Sequence, residues 1–263
     1  MIFLKNIFIF LKFCDRLIVT TNDEVVLIFT KTENAFSSRI LQQKITFHHL
    51  GYQSCETGER VVLFVQDGVD YLELGSFEQS LQTVVKETNF KGQLDAYMIH
   101  PGDSWARYHY YHPNQADHKR FVAFFHEEFY PAHIPSTKGL HKVGVLGDSL
   151  AALVNVSIAA EQPERFTHLL LQSTAYEPVK LLGESLPEQV MHWKVYQLVG
   201  LKEDDFVSPL TGQKLRILTE NRKLNKRLLH LQVQVEYVEK DEEHSWEFWR
   251  QNLQKAITYF LTK

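Results

Sequence analysis

The amino-acid sequence predicts a single α/β domain, built on a mostly parallel sheet with helices on both faces. From residue 60 onward, short apolar runs of strand length alternate with longer segments of helical periodicity. This alternation is typical of parallel strands that are joined by helices and buried on both faces. Residues 17–50 instead alternate in polarity like antiparallel strands. We therefore expect antiparallel strands at the leading edge of the sheet.

The predicted elements follow one another in a regular order along the chain. Each strand is a short apolar run, and each helix is a longer segment whose apolar residues recur at helical spacing. In open sheets of this kind, active groups collect at the carboxyl ends of the strands, where loops leave the sheet. The predicted strands lie at 61–65, 94–99, 142–146, 167–173, 194–199 and 233–238, and the predicted helices lie at 77–88, 118–130, 149–162, in a charged stretch ending near Leu231, and at 246–261.

The bulk composition argues against nucleic acid and membranes as partners. The 263 residues carry a formal charge of −4, so the chain lacks the basic footprint of a nucleic-acid-binding protein. The apolar residues 1–13 are interrupted by Lys5 and Lys12, and they are too few to cross a membrane. We expect a cytoplasmic protein acting on a small molecule, with residues 1–35 as an N-terminal extension and 36–263 as one domain. The oligomeric state is left open.

Ser149 is the first candidate for a catalytic residue. It lies in "KVGVLGDSLAALVNV", directly after a predicted strand and at the start of a predicted helix. This is the context of the nucleophile elbow Gly-x-Ser-x-Gly, except that Ala151 replaces the second glycine. The backbone N–H of Leu150 would then be the first oxyanion donor. The alternative is that Ser149 only caps a helix, as serine often does.

A serine nucleophile needs a histidine base and a third group that orients it. His244 lies between the last predicted strand and the last predicted helix, which is where the base belongs if the chain order is Ser, acid, His. The acid is expected after the strand at 194–199. Glu203 is the first choice and Asp204 the second, with Asp205 beside them in the same acidic triplet.

The remaining site candidates lie in two earlier loops. Gly68 permits an unusual backbone that would leave the N–H of Val69 free to act as the second oxyanion donor, although Asp67-Gly68 is equally consistent with an ordinary turn. Arg107 and Tyr111 belong to an aromatic segment, "WARYHYYHPNQADHKRF", that either binds substrate or packs a loop. Its histidines are scattered, without carboxylates or cysteines at the defined offsets of a metal site. We expect neither a metal nor a cofactor.

Together these residues resemble the esterase D and enterochelin-esterase-like branch of the α/β-hydrolases. The resemblance covers about residues 37–260 and rests on "LFVQDGVDY", "RYHYYHP" with "FFHEEFYP", "GVLGDSLAALVNVSIAAEQPERFTHLLLQS", "VGLKEDDF" and "HSWEFWR". It implies an α/β-hydrolase fold and a serine esterase. Ser149 would be the nucleophile, His244 the base, Glu203 or a neighbour the acid, and the amides of Val69 and Leu150 the oxyanion donors. Some members resemble serine–histidine dyads, so the acid is left open.

Three alternatives accompany this prediction. The letters "GDSL" with "DEEH" also match a flavodoxin-like lipase class, but in that class the serine follows the first strand, whereas at least two strand–helix units precede Ser149. The position of a motif in the topology is part of its meaning. One branch of the resembling family transfers acyl groups instead of hydrolysing esters. A hydrolase fold can also serve as a binding scaffold without catalysis.

Overall fold

The computed structural model describes residues 16–19, 27–54, 56–183 and 190–263. These residues form a nine-stranded sheet in the order β1-β2-β3-β5-β4-β6-β7-β8-β9. Much of the predicted extension, together with Cys14 and Cys55, lies outside the described residues, and a separate role for residues 1–35 stays a prediction. The strands are β1 (Arg16–Val19), β2 (Leu27–Ser38), β3 (Gln43–Gln53), β4 (Glu59–Val65), β5 (Gly92–Ile99), β6 (Leu140–Asp148), β7 (His168–Gln172), β8 (Lys194–Gly200) and β9 (Gln234–Lys240).

The sheet combines an antiparallel edge with a parallel centre, which confirms the predicted fold class. Strands β1, β2 and β3 pair antiparallel, and β3 also pairs antiparallel with β5. From β5 through β4, β6, β7 and β8 to β9, every pairing is parallel. The carboxyl ends of these parallel strands therefore meet along one edge of the sheet, where their loops can converge.

Eight α-helices lie among the described residues; α1 and α3 were not predicted, and one predicted helix is interrupted. The amphipathic segment 118–130 divides into two short helices with a π-helical turn at Phe125–Phe129 between them. Pro131 in the following turn has no backbone N–H to donate to an α-helical partner, which favours this interruption. The helices are α1 (Gly68–Glu73), α2 (Phe77–Glu87), α3 (Ser104–Tyr111), α4 (His118–Phe124), α5 (Tyr130–His133), α6 (Ser149–Glu161), α7 (Ile217–His230) and α8 (Trp246–Thr262).

Helices cover both faces of the sheet, and each face has its own large hydrophobic core. On one face, α4, α6 and α7 pack against strand residues such as Phe64 and Val145. On the other face, α2 and α8 pack against Leu63 and Leu146. Helix α6 is buried along most of its length, and its small residues let it lie close to β6. None of the described helices is both long and apolar enough to cross a membrane.

His168 makes the stability of this fold depend on pH. Its side chain is buried in β7 against the ring of Phe260. Burial, followed by the positive charges of Lys142 and Lys194, lowers the pKa of His168 to about 3. Below the ordinary pKa of 6.5, the imidazole of His168 binds a proton in the unfolded chain but stays neutral in the folded protein. The free energy of unfolding should therefore fall as the pH drops below that value, by up to about 1.4 kcal/mol per pH unit from this group.

We expect His168→Gln to weaken this pH dependence. Between about pH 7.5 and about pH 5.5, the variant should lose about 1 kcal/mol less of its unfolding free energy than the wild type loses. Urea denaturation at the two pH values measures the difference. An equal loss in both proteins would show that His168 does not carry this part of the acid sensitivity.

Candidate active site

Ser149 lies on a strained turn between β6 and α6. Its backbone φ is +48°, a left-handed conformation that is uncommon for residues other than glycine and often marks functional turns. A Cβ atom at Gly147 would lie 2.5 Å from the backbone carbon of Ala151. Glycine is therefore required before the serine, because the first turn of α6 passes directly over it. The geometry is that of a nucleophile elbow, with alanine tolerated at the second small position.

The imidazole of His244 lies beside the Ser149 hydroxyl. Its Nε2 atom is 2.9 Å from Ser149 Oγ, although 95 positions separate the two residues in the chain. The His244 ring lies between two aromatic rings, with centroids 4.2 Å from Phe206 and 4.8 Å from Trp249. Trp249 belongs to α8, and the Ser245 hydroxyl accepts the N–H of Phe248 at the start of that helix. These contacts hold the histidine loop against the carboxyl end of the sheet.

The three acids of the predicted triplet contact different residues. Glu203 is fully buried, and its Oε2 atom lies 3.4 Å from His244 Nδ1. Neither atom has a hydrogen-bond partner elsewhere among the described residues. Asp204, the second choice, instead accepts the N–H and the hydroxyl of Thr219. Asp205 is exposed and pairs with Lys214. Of the triplet, only Glu203 faces the imidazole.

Two successive buried hydrogen bonds connect Trp249 to the Glu203 oxygen that does not face His244. The indole N–H of Trp249 donates to Ser173 Oγ at 2.9 Å, and the Ser173 hydroxyl donates to Glu203 Oε1 at 2.6 Å. Ser173 directly follows β7 and has a backbone φ of +53°. No local pattern distinguishes this serine, because "LLLQS" indicates only the end of a strand. Trp249 therefore contacts His244 through its ring and is linked to Glu203 through the Ser173 hydroxyl.

The loop after β4 carries Val69 at the start of α1. The prediction placed the unusual backbone at Gly68, but the positive φ of +56° belongs to Asp67. Glycine is required at 68 for a different reason, since a Cβ there would lie 2.5 Å from the backbone carbon of Met98. Val69 and Leu150 both lie in the first turns of helices, where backbone N–H groups have no partner within the helix.

Arg107 and Tyr111, the predicted substrate-binding residues, lie on α3 beside this loop. The Nε of Arg107 donates to Asp67 Oδ2 at 2.5 Å, and its Nη2 lies 3.6 Å from Asp148 Oδ2. Tyr111 is fully buried, and its hydroxyl donates to Gln66. Arg107 thus contacts both the loop and the elbow, whereas the hydroxyl of Tyr111 bonds to the loop. The contact of either side chain with substrate stays a prediction.

A second serine–histidine pair lies further along α6. Ser157 Oγ is 3.1 Å from His118 Nε2, and both line a cleft of about 560 Å³ that does not include Ser149. Ser157 lies in the middle of α6, where neighbouring N–H groups are used within the helix and cannot bind an oxyanion. Within the described ranges, no group of three or more histidine, cysteine, aspartate or glutamate residues is placed to hold a metal ion.

Comparison with known proteins decides the family. The profile of the family described as "Putative esterase" matches residues 38–260, most of the chain. The chain belongs to this esterase family. It is a carboxylic ester hydrolase with the α/β-hydrolase fold, as the resemblance implied. The flavodoxin-like lipase alternative is therefore wrong. Among curated proteins, this esterase is 24% identical over 236 residues to the uncharacterized protein YjcH of Bacillus subtilis (strain 168), covering 88% of this chain and 98% of that one.

Solved structures share the fold of the esterase at low sequence identity. The enterobactin esterase FES from Shigella flexneri superimposes with a TM-score of 0.68 at 18% identity, covering 87% of this chain and 57% of that one. The S-formylglutathione hydrolase FrmB from Staphylococcus aureus has a TM-score of 0.60 at 13% identity, covering 89% and 99%. An IroE-like serine hydrolase from Shewanella oneidensis has a TM-score of 0.66 at 15% identity, covering 88% and 80%.

Proposed function

We propose that this esterase hydrolyses a carboxylic ester through an acyl-enzyme on Ser149, with His244 as the base. The single observation that carries the proposal is the 2.9 Å separation of Ser149 Oγ and His244 Nε2 at a strained strand-to-helix turn. A serine hydroxyl is a weak nucleophile at neutral pH, and a hydrogen-bonded imidazole removes its proton as it attacks. We assign the role of the acid to Glu203, because its carboxylate faces the other ring nitrogen.

The reaction proceeds in two steps. Ser149 Oγ attacks the ester carbonyl while His244 Nε2 takes the hydroxyl proton, and the imidazolium then returns that proton to the departing alcohol. The carboxylate of Glu203 holds the Nδ1–H and stabilises the positive charge that forms on the ring. Water then attacks the acyl-enzyme with His244 again as base, which releases the acid and restores the serine.

Two backbone amides complete the proposed site. The N–H groups of Val69 and Leu150 are assigned to the oxyanion that develops on the carbonyl oxygen. Both belong to first turns of helices, where amides lack helical partners and the helix dipole favours negative charge. Donors of this kind are already oriented before the reaction, so they stabilise the transition state more than the ground state.

Turnover of simple esters tests the proposed function. We expect the wild-type protein to release p-nitrophenol from p-nitrophenyl acetate and butyrate and to form the free carboxylic acid in equal amount. A screen of short aliphatic and aromatic acyl groups would then rank the substrates. Release no faster than in buffer across this screen would favour the non-catalytic binding alternative.

Acyl transfer is the second candidate function, since an acyl-enzyme can be attacked by an alcohol in place of water. The same site would serve both reactions, so product analysis distinguishes them. An acyltransferase would form a new ester when an alcohol is added, whereas the esterase continues to form the free acid.

A cytoplasmic location also stays a prediction.

A further inference from the structure

Two buried carboxyl groups share one guanidinium directly beside the proposed site. The side chains of Asp67 and Asp148 are only 1% and 2% exposed. Arg107 lies between them, with its Nε 2.5 Å from Asp67 Oδ2 and its Nη2 3.6 Å from Asp148 Oδ2. The Oδ1 atom of each aspartate is buried without a hydrogen-bond partner among the described residues. Buried charged groups without full pairing are costly, so such a cluster needs an explanation.

The two aspartates occupy the two ends of the proposed oxyanion site. Asp67 precedes Gly68 and Val69, and its left-handed backbone turns the chain from β4 into α1. Asp148 is the last residue of β6 and directly precedes Ser149. Val65 and Leu146 are the last paired residues of β4 and β6, and the N–H of Gln66 donates to Leu146 O just beyond them. Arg107 therefore joins the loop after β4 to the turn after β6. The N–H groups of Val69 and Leu150, which lie on these two segments, must keep a fixed separation to bind the same oxyanion.

The charge of the cluster matters as much as its geometry. With both carboxyls ionised, the cluster would carry one net negative charge next to a developing oxyanion, and this charge would oppose the reaction. Burial raises the pKa of Asp67 to about 6 even though Arg107 opposes the shift, and burial followed by the Asp67 charge raises the pKa of Asp148 well above its ordinary value. With one proton on the pair, Asp67, Asp148 and Arg107 together carry no net charge. The titratable and charged groups that interact across this cluster are Asp67, Asp70, Tyr71, Arg107, Tyr111 and Asp148.

We propose that Arg107 is a positioning residue, which ties the loop bearing Val69 to the turn bearing Ser149 and neutralises the carboxylate charge beneath the oxyanion. The inference rests on the proposed function, since it concerns the same two amides. This role differs from substrate binding. The guanidinium of Arg107 contacts two buried carboxyl groups of the protein, and in this role it does not contact the ester. Its loss should therefore lower kcat for any ester, whatever the charge of the acyl group.

Steady-state kinetics of Arg107 variants test this role. The two substrates are p-nitrophenyl acetate, which is neutral, and the mono-p-nitrophenyl ester of succinate, which carries a free carboxylate. We expect Arg107→Met to lower kcat about 10- to 100-fold on both esters while KM changes less than about threefold, because misplaced oxyanion donors weaken only the transition state. Arg107→Lys should recover part of kcat. The matched control is Arg120→Met, which removes an exposed arginine of α4 and should leave kcat and KM unchanged.

A double variant keeps the test decisive if Arg107→Met folds poorly. Arg107→Met with Asp148→Asn removes one of the two carboxyls that lose their counter-ion, so it should be more stable than the single variant and regain part of kcat. A rise in KM confined to the succinate ester, with kcat unchanged, would show that Arg107 binds substrate and would overturn the proposal. A wild-type kcat in folded Arg107→Met would overturn it as well.

The failure of this inference can be distinguished from the failure of the proposed function. If Ser149→Ala is inactive and Arg107→Met retains the wild-type kcat, only the positioning role is wrong. If Ser149→Ala turns over both esters at the wild-type rate, the acyl-enzyme at Ser149 is wrong, and the role of Arg107 falls with it.

Discussion

Replacing Ser149 with alanine is expected to reduce kcat for p-nitrophenyl acetate by about 10⁴-fold or more, with a small change in KM. The hydroxyl at 2.9 Å from His244 is the only atom of residue 149 that the proposed chemistry uses. Its removal prevents the acyl-enzyme from forming, whereas the elbow and its amides remain available to bind the ester. The alanine side chain is also smaller than serine, so the fold should be undisturbed, which thermal unfolding would verify.

Ser157→Ala provides a matched control for this prediction. Ser157 belongs to the same helix and also lies within hydrogen-bond distance of a histidine, His118. It lacks a strained backbone and free amides, so its loss should leave ester turnover unchanged. If Ser157→Ala rather than Ser149→Ala abolished turnover, the chemistry would belong to the cleft lined by Ser157 and His118.

Replacing Glu203 with glutamine is expected to reduce kcat by about 10²- to 10⁴-fold, again with a smaller effect on KM. Glutamine has the shape of glutamate and can still accept the Ser173 hydroxyl, but it lacks the negative charge that stabilises the His244 imidazolium. Its amide can also donate to Nδ1 and favour the wrong tautomer of the ring. Steady-state kinetics on p-nitrophenyl acetate measures the loss and decides between a triad and a dyad.

Asp205→Asn is the control for Glu203→Gln. It makes the same change of charge two positions away, at a side chain that is 87% exposed and pairs with Lys214. Activity should be unaffected, because an exposed ion pair contributes little. Equal activity of Glu203→Gln and wild type would mean that His244 works without an acid, as a serine–histidine dyad.

The fold and the proximity of Ser149 and His244 could be predicted from the sequence because their signals are local. Apolar runs of strand length, each followed by a helical segment, define the parallel sheet. The elbow requires small residues around Ser149, so its pattern is visible in a single stretch of sequence. The position of His244 between the last strand and the last helix reflects chain order in the fold. The edge where strands end then brings both residues together.

Other parts of the site depend on contacts that no local pattern reveals. Within the acidic triplet, the path of a single 3₁₀ turn decides that Glu203 faces inward while Asp204 caps α7 through Thr219. Ser173 supports the acid only because β7 ends beside β8 in the sheet. The pairing of Arg107 with Asp67 and Asp148 joins a helix, a loop and the end of a strand, and no single stretch of sequence predicts that these three side chains meet.

Covalent labelling tests directly whether Ser149 is the nucleophile. An alkyl fluorophosphonate reacts with a serine whose proton is removed by a neighbouring base, and mass spectrometry of the digested protein locates the adduct. We expect one adduct per chain on the peptide that contains Ser149, and none in Ser149→Ala under the same conditions. An adduct on Ser157 or Ser173 in the wild type, or undiminished labelling of Ser149→Ala, would contradict this assignment.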